Sequence, residues 1–250
     1  MSDRLLDARL PDGSRVAAVF PPCSVSGTTL AIRKFHSKIY TADELVRTGS
    51  LAADALVVLR KAVENRHSVL NSGGTGTGKT TLLNAVAAFI APDERVVVIE
   101  DTSEIQLAQK NLVRLEARRE QPGLPAVTIR DLLRTTLRLR PDRILLGEVR
   151  GGEAFDLLQA LNTGHQGTLS TIHANSAKDV ISRFTTCVLL AGIELPYKAI
   201  RSNIAEALNL IVHIERRNGR RAVTEILRIT RYDPAEDRYE LEALYQREGS

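Results

Sequence analysis

Along the 250-residue chain the spacing of apolar positions changes period repeatedly, and each change marks an element. Short stretches at residues 67–71, 95–99, 112–115, 144–146 and 168–173 read as strands, and the fully apolar run at 95–99 as a parallel strand buried on both faces. Between them lie longer segments with apolar residues three or four apart. Residues 81–90 form one such segment. A second begins at Thr128 with Ile129, Leu132, Leu133 and Leu137 on one face, and a third carries Ala154, Phe155, Leu158 and Leu161. A fourth carries Val180, Phe184 and Val188, opened by Ser176 and Asp179 in capping-box spacing and closed at Gly192. Alternation of this kind predicts an α/β fold with a mostly parallel sheet. Two prolines and a glycine make residues 119–125 a predicted loop. Toward the C-terminus, Pro196 starts a helix through Ile200, Ile204 and Leu208. Residues 211–214 are then expected to pair with 222–229 across Asn218-Gly219.

The first part of the chain has a different pattern. Residues 15–20 and 28–33 read as strands, set off by Pro11-Asp12-Gly13-Ser14 and Pro21-Pro22. Two strands bury little by themselves. The segment is therefore expected either to pack on another element or to be the end of a domain whose beginning lies outside this chain; residues 1–36 are taken as the C-terminal part of a smaller α+β N-terminal domain. Residues 37–66 are expected to form a linker and helix, with Thr41 or Asp43 capping a short helix that ends at Gly49. Residues 67–250 form the main domain, with a small C-terminal helical and hairpin subregion.

A hydrophobic content of 43% supports a sizeable core. No apolar run reaches the 18 or so residues that span a bilayer, and Met1-Ser2-Asp3-Arg4 lacks a signal-peptide core, so a cytoplasmic location is expected. Cys23 and Cys187 alone make neither a disulfide framework nor a four-cysteine metal site. The formal charge of +4 permits contact with polyanions. With no Trp and ten Phe plus Tyr, however, base-stacking platforms are not apparent, and no direct nucleic-acid contact is expected.

The candidate chemistry centres on residues 73–80, GGTGTGKT, which fit the pattern G-x-x-x-x-G-K-[ST]. Glycines in such a loop let backbone N–H groups converge on phosphate oxygens, and the following helix adds its positive N-terminal dipole. Gly74, Thr75, Gly76, Thr77, Gly78, Lys79, Thr80 and Thr81 are the predicted nucleotide contacts, with Lys79 on the outer phosphates and the Thr80 hydroxyl on magnesium. Hydrolysis also needs carboxylates and cations. Glu100, Asp101 and Glu104 follow one core strand and Glu148 ends another, on the ligand-binding side of a parallel sheet. A helix-initiating role for Glu104, a surface role for Glu148 and a structural role for His173 stay open on this reading. Arg130, Arg134 and Arg138 recur every four residues as a basic stripe that suits a solvated face as well as a phosphate-seeking or subunit-facing one.

Four stretches together resemble the secretion ATPases of type II and type IV secretion systems and type IV pili. The similarity is greatest to the Flp/Tad pilus assembly ATPases (CpaF-like) and the conjugative ring ATPases. Residues 73–80 look like the Walker A box, 99–104 (IEDTSE) the Asp box, 140–150 (RPDRILLGEVR) the Walker B box and 163–174 (TGHQGTLSTIHA) the His box. The resemblance covers roughly residues 28–230. It implies a RecA-like P-loop NTPase domain, an ATP site at the junction with an N-terminal domain, ATP and Mg2+ as cofactors, and a homo-hexameric ring. By position, Glu104 and Glu148 would be the catalytic carboxylates alongside Lys79, and Glu100 would lie against the nucleotide. His173 would sense the nucleotide state, Arg118 would act as an arginine finger across the subunit boundary, and Arg33 would clamp the phosphates. Gly147 stands where many P-loop enzymes carry a magnesium-binding Asp, which leaves Thr80, phosphates and water for the metal. The implied function is an ATP-hydrolysing motor for pilus assembly or protein secretion, docked through an inner-membrane platform protein with peripheral membrane association. A nucleic-acid-stimulated motor and a non-hydrolysing scaffold are the alternatives.

Overall fold

The computed structural model describes residues 4–34, 39–121, 123–217 and 219–247, and the chain folds as two compact units, Met1–Ile39 and Tyr40–Ser250. The first holds an antiparallel meander of β1 (Leu5–Arg9), β2 (Arg15–Val19) and β3 (Thr29–Arg33). Its first strand escapes the sequence pattern because LLDAR has no alternation. The turn after it is held by Asp12, whose carboxylate accepts from the Ser14 backbone N–H at 2.9 Å.

In the larger unit, Thr41 caps α1 (Ala42–Arg47) through a reciprocal capping box with Glu44, and α2 (Ala53–Glu64) follows. The remaining elements are β4 (Val69–Ser72), α3 (Lys79–Ala87), β5 (Val96–Glu100), β6 (Leu112–Glu116), α4 (Ile129–Thr136), β7 (Arg143–Val149), α5 (Glu153–Asn162), β8 (Leu169–Ile172), α6 (Asp179–Leu189), α7 (Tyr197–Ala207), β9 (Leu210–Arg217), β10 (Arg220–Asp233) and β11 (Arg238–Gln246). One eight-stranded sheet results, in the order β11-β10-β9-β4-β8-β7-β5-β6. The six strands from β9 to β6 run parallel, while β10 and β11 extend the sheet antiparallel.

Each face of this sheet buries its own apolar cluster. Leu70, Ile99, Leu146, Ile172 and Ile211 point toward α4 to α7. Val69, Val98, Leu145, Leu169 and Val212 point toward α1, α2 and α3. The strict inward burial of β5 (VVVIE, every residue buried) is what a central parallel strand covered on both faces requires.

Two expectations need correction. Residues 119–125 are not simply loop: bridges Arg118↔Val127 and Gln121↔Leu124 fold the stretch into a narrow ribbon, with Pro122 outside the described residues. Asn218 of the predicted hairpin turn also lies outside them. The basic stripe that begins on α4 is not simply a solvated face. Arg130 Nε and Arg134 Nε sit 2.6 and 2.8 Å from the two carboxylate oxygens of the nearly buried Asp156 on α5, so two of the three arginines staple α4 to α5.

A buried ion pair ties the start of β7 to its surroundings. The Arg143 guanidinium, 1% exposed, donates to Glu94 at 2.7 and 3.2 Å, to the Val63 carbonyl at 2.7 Å and to the Gly167 carbonyl at 3.3 Å. Removing Arg143 leaves the buried Glu94 with the more exposed Arg66 at 3.1 Å and takes a donor from the buried Val63 and Gly167 carbonyls. Arg143→Met is expected to lower unfolding free energy by about 3–5 kcal/mol in urea titrations, and Arg143→Met with Glu94→Leu to recover much of the loss. A cost below about 1 kcal/mol for the single variant would contradict this role.

Candidate functional site

Strand β4 delivers the chain to the glycine loop, and α3 carries it away. Gly73 is forced by packing: its φ is +151°, and a Cβ there would lie 2.3 Å from the Ile214 carbonyl oxygen of β9. Only glycine lets the loop pass that close. Thr77 Oγ1 donates to the Gly74 carbonyl at 2.9 Å and braces the curve, while Gly74, Thr75 and Gly76 remain exposed. Lys79, at the first position of α3, folds back over the loop. Its ammonium donates to the carbonyls of Gly73 at 3.0 Å and Gly74 at 2.9 Å. Thr80 and Thr81 follow on the first turn of α3, both half-buried.

On the other side of that ammonium stands His173, just past β8, with ring nitrogens at 3.4 and 3.5 Å. His173 Nε2 is 2.9 Å from Glu148 Oε1. Burial, followed by the Lys79 charge, holds the imidazole below the ordinary histidine range. The ring therefore stands between the Lys79 ammonium and the Glu148 carboxylate, close to both, while Glu148 Oε1 accepts no hydrogen bond among the described residues. Burial likewise lowers the Lys79 ammonium, which Glu148 partly opposes. Glu148 Oε2 is pinned by Arg150 at 2.6 Å, and the same guanidinium reaches Asp101 at 2.9 Å. Lys79, His173, Glu148, Arg150 and Asp101 thus form one continuous polar chain at the C-terminal edge of β5, β7 and β8.

Glu100 sits deeper. Its Oε1 accepts the backbone N–H groups of Glu104 and Ile105, each at 2.9 Å. Burial pushes this carboxyl up to about 7, against the lowering effect of those two bonds. Next to it is Gly147, where a Cβ would lie 3.0 Å from Glu100 Cγ. An Asp at position 147 would therefore collide with Glu100, which explains the glycine at the end of this strand. From the helix side, Asn84 Nδ2 donates to the Glu104 carbonyl at 3.4 Å and its Oδ1 accepts from Gln106 at 3.2 Å. The segment bearing Glu104 hangs between Glu100 and α3, with the Glu104 side chain half-buried.

Lys79, Thr80, Thr81, Glu100, Glu104, Glu148 and His173 are thus gathered around the loop. Arg118 stands apart. It is exposed beyond the end of edge strand β6, and its guanidinium donates to the Pro125 carbonyl at 3.0 Å. Arg33 lies on β3 of the N-terminal unit. Sequence reasoning gave no role to Asn84 or Arg150. An amide inside an otherwise apolar helix was the available signal for Asn84. Magnesium fits the donor set through Thr80: a hard hydroxyl oxygen beside a phosphate-binding loop suits an ion that keeps mostly phosphate and water ligands. No group of three or more His, Cys, Asp or Glu arranged for a metal occurs among the described residues.

Comparison with known proteins gives this arrangement its context. A putative conjugal transfer protein of Mycobacterium tuberculosis is 42% identical over 214 residues, 85% of this chain and 60% of the relative. The chain therefore spans less than two thirds of that relative's length. The conjugal transfer protein TrbB of Rhizobium radiobacter is 40% identical over 232 residues, covering 91% of this chain and 68% of the relative. Among solved structures, the VirB11 ATPase of the Brucella suis type IV secretion system in complex with sulphate superposes with a TM-score of 0.63 at 32% identity, covering 90% of this chain and 76% of that one. The fold is accordingly that of a RecA-like P-loop ATPase. The family described as Type II/IV secretion system protein matches residues 1–226. With its loop, its acid-ended strands and its histidine in one site, the chain belongs to the Type II/IV secretion system protein family.

Proposed function

We propose that this chain is an ATP-hydrolysing motor subunit serving type II/IV secretion or pilus assembly. The observation that carries the reading is the line from Lys79 through His173 to Glu148 beside the glycine loop. A cation and a carboxylate are groups a triphosphate hydrolase needs next to its phosphate cradle, and His173 stands between them.

In this reading the outer phosphates of ATP enter the loop, and the Lys79 ammonium exchanges the Gly73 and Gly74 carbonyls for phosphate oxygens. Thr80 holds magnesium, which when bound neutralises phosphate charge. Glu148, fixed by Arg150 and His173, orients the attacking water and accepts its proton. The water oxygen bonds to the terminal phosphorus, and the bridging bond breaks with its electron pair leaving on ADP. As Lys79 turns to the phosphates, His173 loses one of its two neighbours, so its position reports whether the loop is filled. Glu104 is positioned as the second carboxylate. Arg118 serves the site of a neighbouring subunit in a homo-hexameric ring, and Arg33 of the N-terminal unit is assigned to the nucleotide phosphates.

No helix among the described residues is long and apolar enough to cross a membrane. Family membership supports assigning membrane association to a platform protein of the secretion or pilus machinery, with the ring on its cytoplasmic side.

Lys79→Ala and Glu148→Gln are each expected to reduce phosphate release by 10²-fold or more, on the order of what cradle cations and general bases contribute. Near-normal turnover in both would remove the assignment. Glu100 generates a second expectation. Its carboxyl titrates near 7 in the folded chain against an ordinary 4.5, so the native state binds the extra proton between those values. Stability is then fully supported below about pH 4.5, falls as pH rises through 7, and the deficit persists above. Glu100→Gln keeps an oxygen acceptor for both backbone N–H groups without the charge. Relative to the parent, it should gain stability between pH 5 and pH 8 by at most about 3 kcal/mol in urea titrations. A difference that stays constant with pH would contradict the buried titration.

A further inference from the structure

The tip of the β9–β10 hairpin carries four arginines that the P-loop chemistry leaves unexplained. In the strand register Arg216 lies directly opposite Arg221, and Arg217 opposite Arg220. Like charges facing each other across a ladder repel. Among the described residues Arg217 alone of the four has a counter-ion, Glu215. Glu215 and Arg217 are two apart, so both lie on one face of the strand, whereas Arg216 and Arg221 lie on the other. Among the described residues, no carboxylate pairs with Arg216, Arg220 or Arg221, and both members of the Arg216/Arg221 pair are exposed.

The free pair faces the glycine loop. Ile214 and Val223, the register neighbours one step inward on the same face, belong to the apolar cluster under α3. A methyl placed on Gly78 would lie 3.5 Å from Arg221 Cδ, so the Arg221 stem touches the loop at the start of α3. The loop is thus flanked on both sides of β4. Toward β8 and β7 stand His173 and Glu148, and toward β9 and β10 stand Arg216 and Arg221. A nucleotide whose terminal phosphate points at Glu148 extends its other end toward the arginines.

Resting on the nucleotide reading of the loop, we propose that Arg216 and Arg221 form a second nucleotide-contacting element, a guanidinium shelf for the α-phosphate and base. Guanidinium groups suit both parts, since they hydrogen-bond phosphate oxygens and stack on flat rings. The ligand's negative charge relieves the repulsion that the free hairpin carries. The opposed arginines are therefore unfavourable in the free chain and favourable in the bound one.

The test uses the full chain with a fluorescent ATP analogue, competed by ATP, ADP or inorganic pyrophosphate, and thermal melting without nucleotide. Arg221→Gln with Arg216→Gln should weaken ATP and ADP about 10-fold or more, the scale of losing one charge-assisted phosphate contact. Pyrophosphate, which fills the outer phosphate positions and has neither α-phosphate nor base, should compete within about twofold of the parent. The melting temperature without nucleotide should be unchanged or higher, because a like-charge pair has gone; a merely structural role would lower it. Unchanged ATP affinity, equal weakening of pyrophosphate, or a lower melting temperature with unaltered binding would each overturn the shelf. A parent chain that binds neither ATP nor pyrophosphate would instead overturn the nucleotide reading of the loop, and the shelf with it. Retained pyrophosphate binding separates the two failures.

Discussion

A lysine ammonium withdrawn from water at the C-terminal edge of the sheet is the constraint on which the site depends. Lys79 is 8% exposed, and its hydrogen bonds to carbonyls go to the two at the start of its own loop. A buried cation needs close acceptors, and carbonyl dipoles meet that need less fully than anionic oxygens. The groups around it follow from this. Burial and then the Lys79 charge both work against a second cation on His173. Glu148 supplies the nearby negative charge, and Arg150 fixes that carboxylate without reaching the lysine's place.

Backbone geometry makes the arrangement possible. β9 packs so closely on the loop that Gly73 has no room for a side chain, and Glu100 occupies the space that any residue other than glycine would claim at 147. The acid that might have stood at the end of β7 is in effect displaced to β5. There it is buried, hydrogen-bonded to the chain at 104 and 105, and pushed up to about 7 by its burial. Asn84 links that segment to the helix that begins with Lys79, so the cradle and the carboxylate-bearing loop share one support. Movement of α3 on filling the loop would be felt directly at Glu104.

Much of this was legible in the sequence because the informative signals are local. The glycine loop, the apolar runs that stop abruptly at Glu100 and Glu148, and the histidine after β8 each fall within a few residues, and parallel topology carries all of them to one sheet edge. What was not legible depends on partners far apart in the chain. Arg143 reads as one more cation in an arginine-rich motif, yet its partner Glu94 lies 49 residues earlier. The arginines of α4 looked free because Asp156 is one polar position among several on α5. The reason for Gly147 is invisible without the side chain of a neighbouring strand. Strand β1 lacks alternation, and the ribbon at residues 118–127 has two prolines, so local propensity pointed away from both.

The account is tested most directly by determining the structure of the chain with magnesium and a non-hydrolysable ATP analogue. It predicts that Lys79 Nζ leaves the carbonyls of Gly73 and Gly74 and comes within hydrogen-bonding distance of the outer phosphates, with Glu148 facing the terminal one. Nucleotide bound elsewhere, or Lys79 still on the two carbonyls with the loop filled, would contradict it.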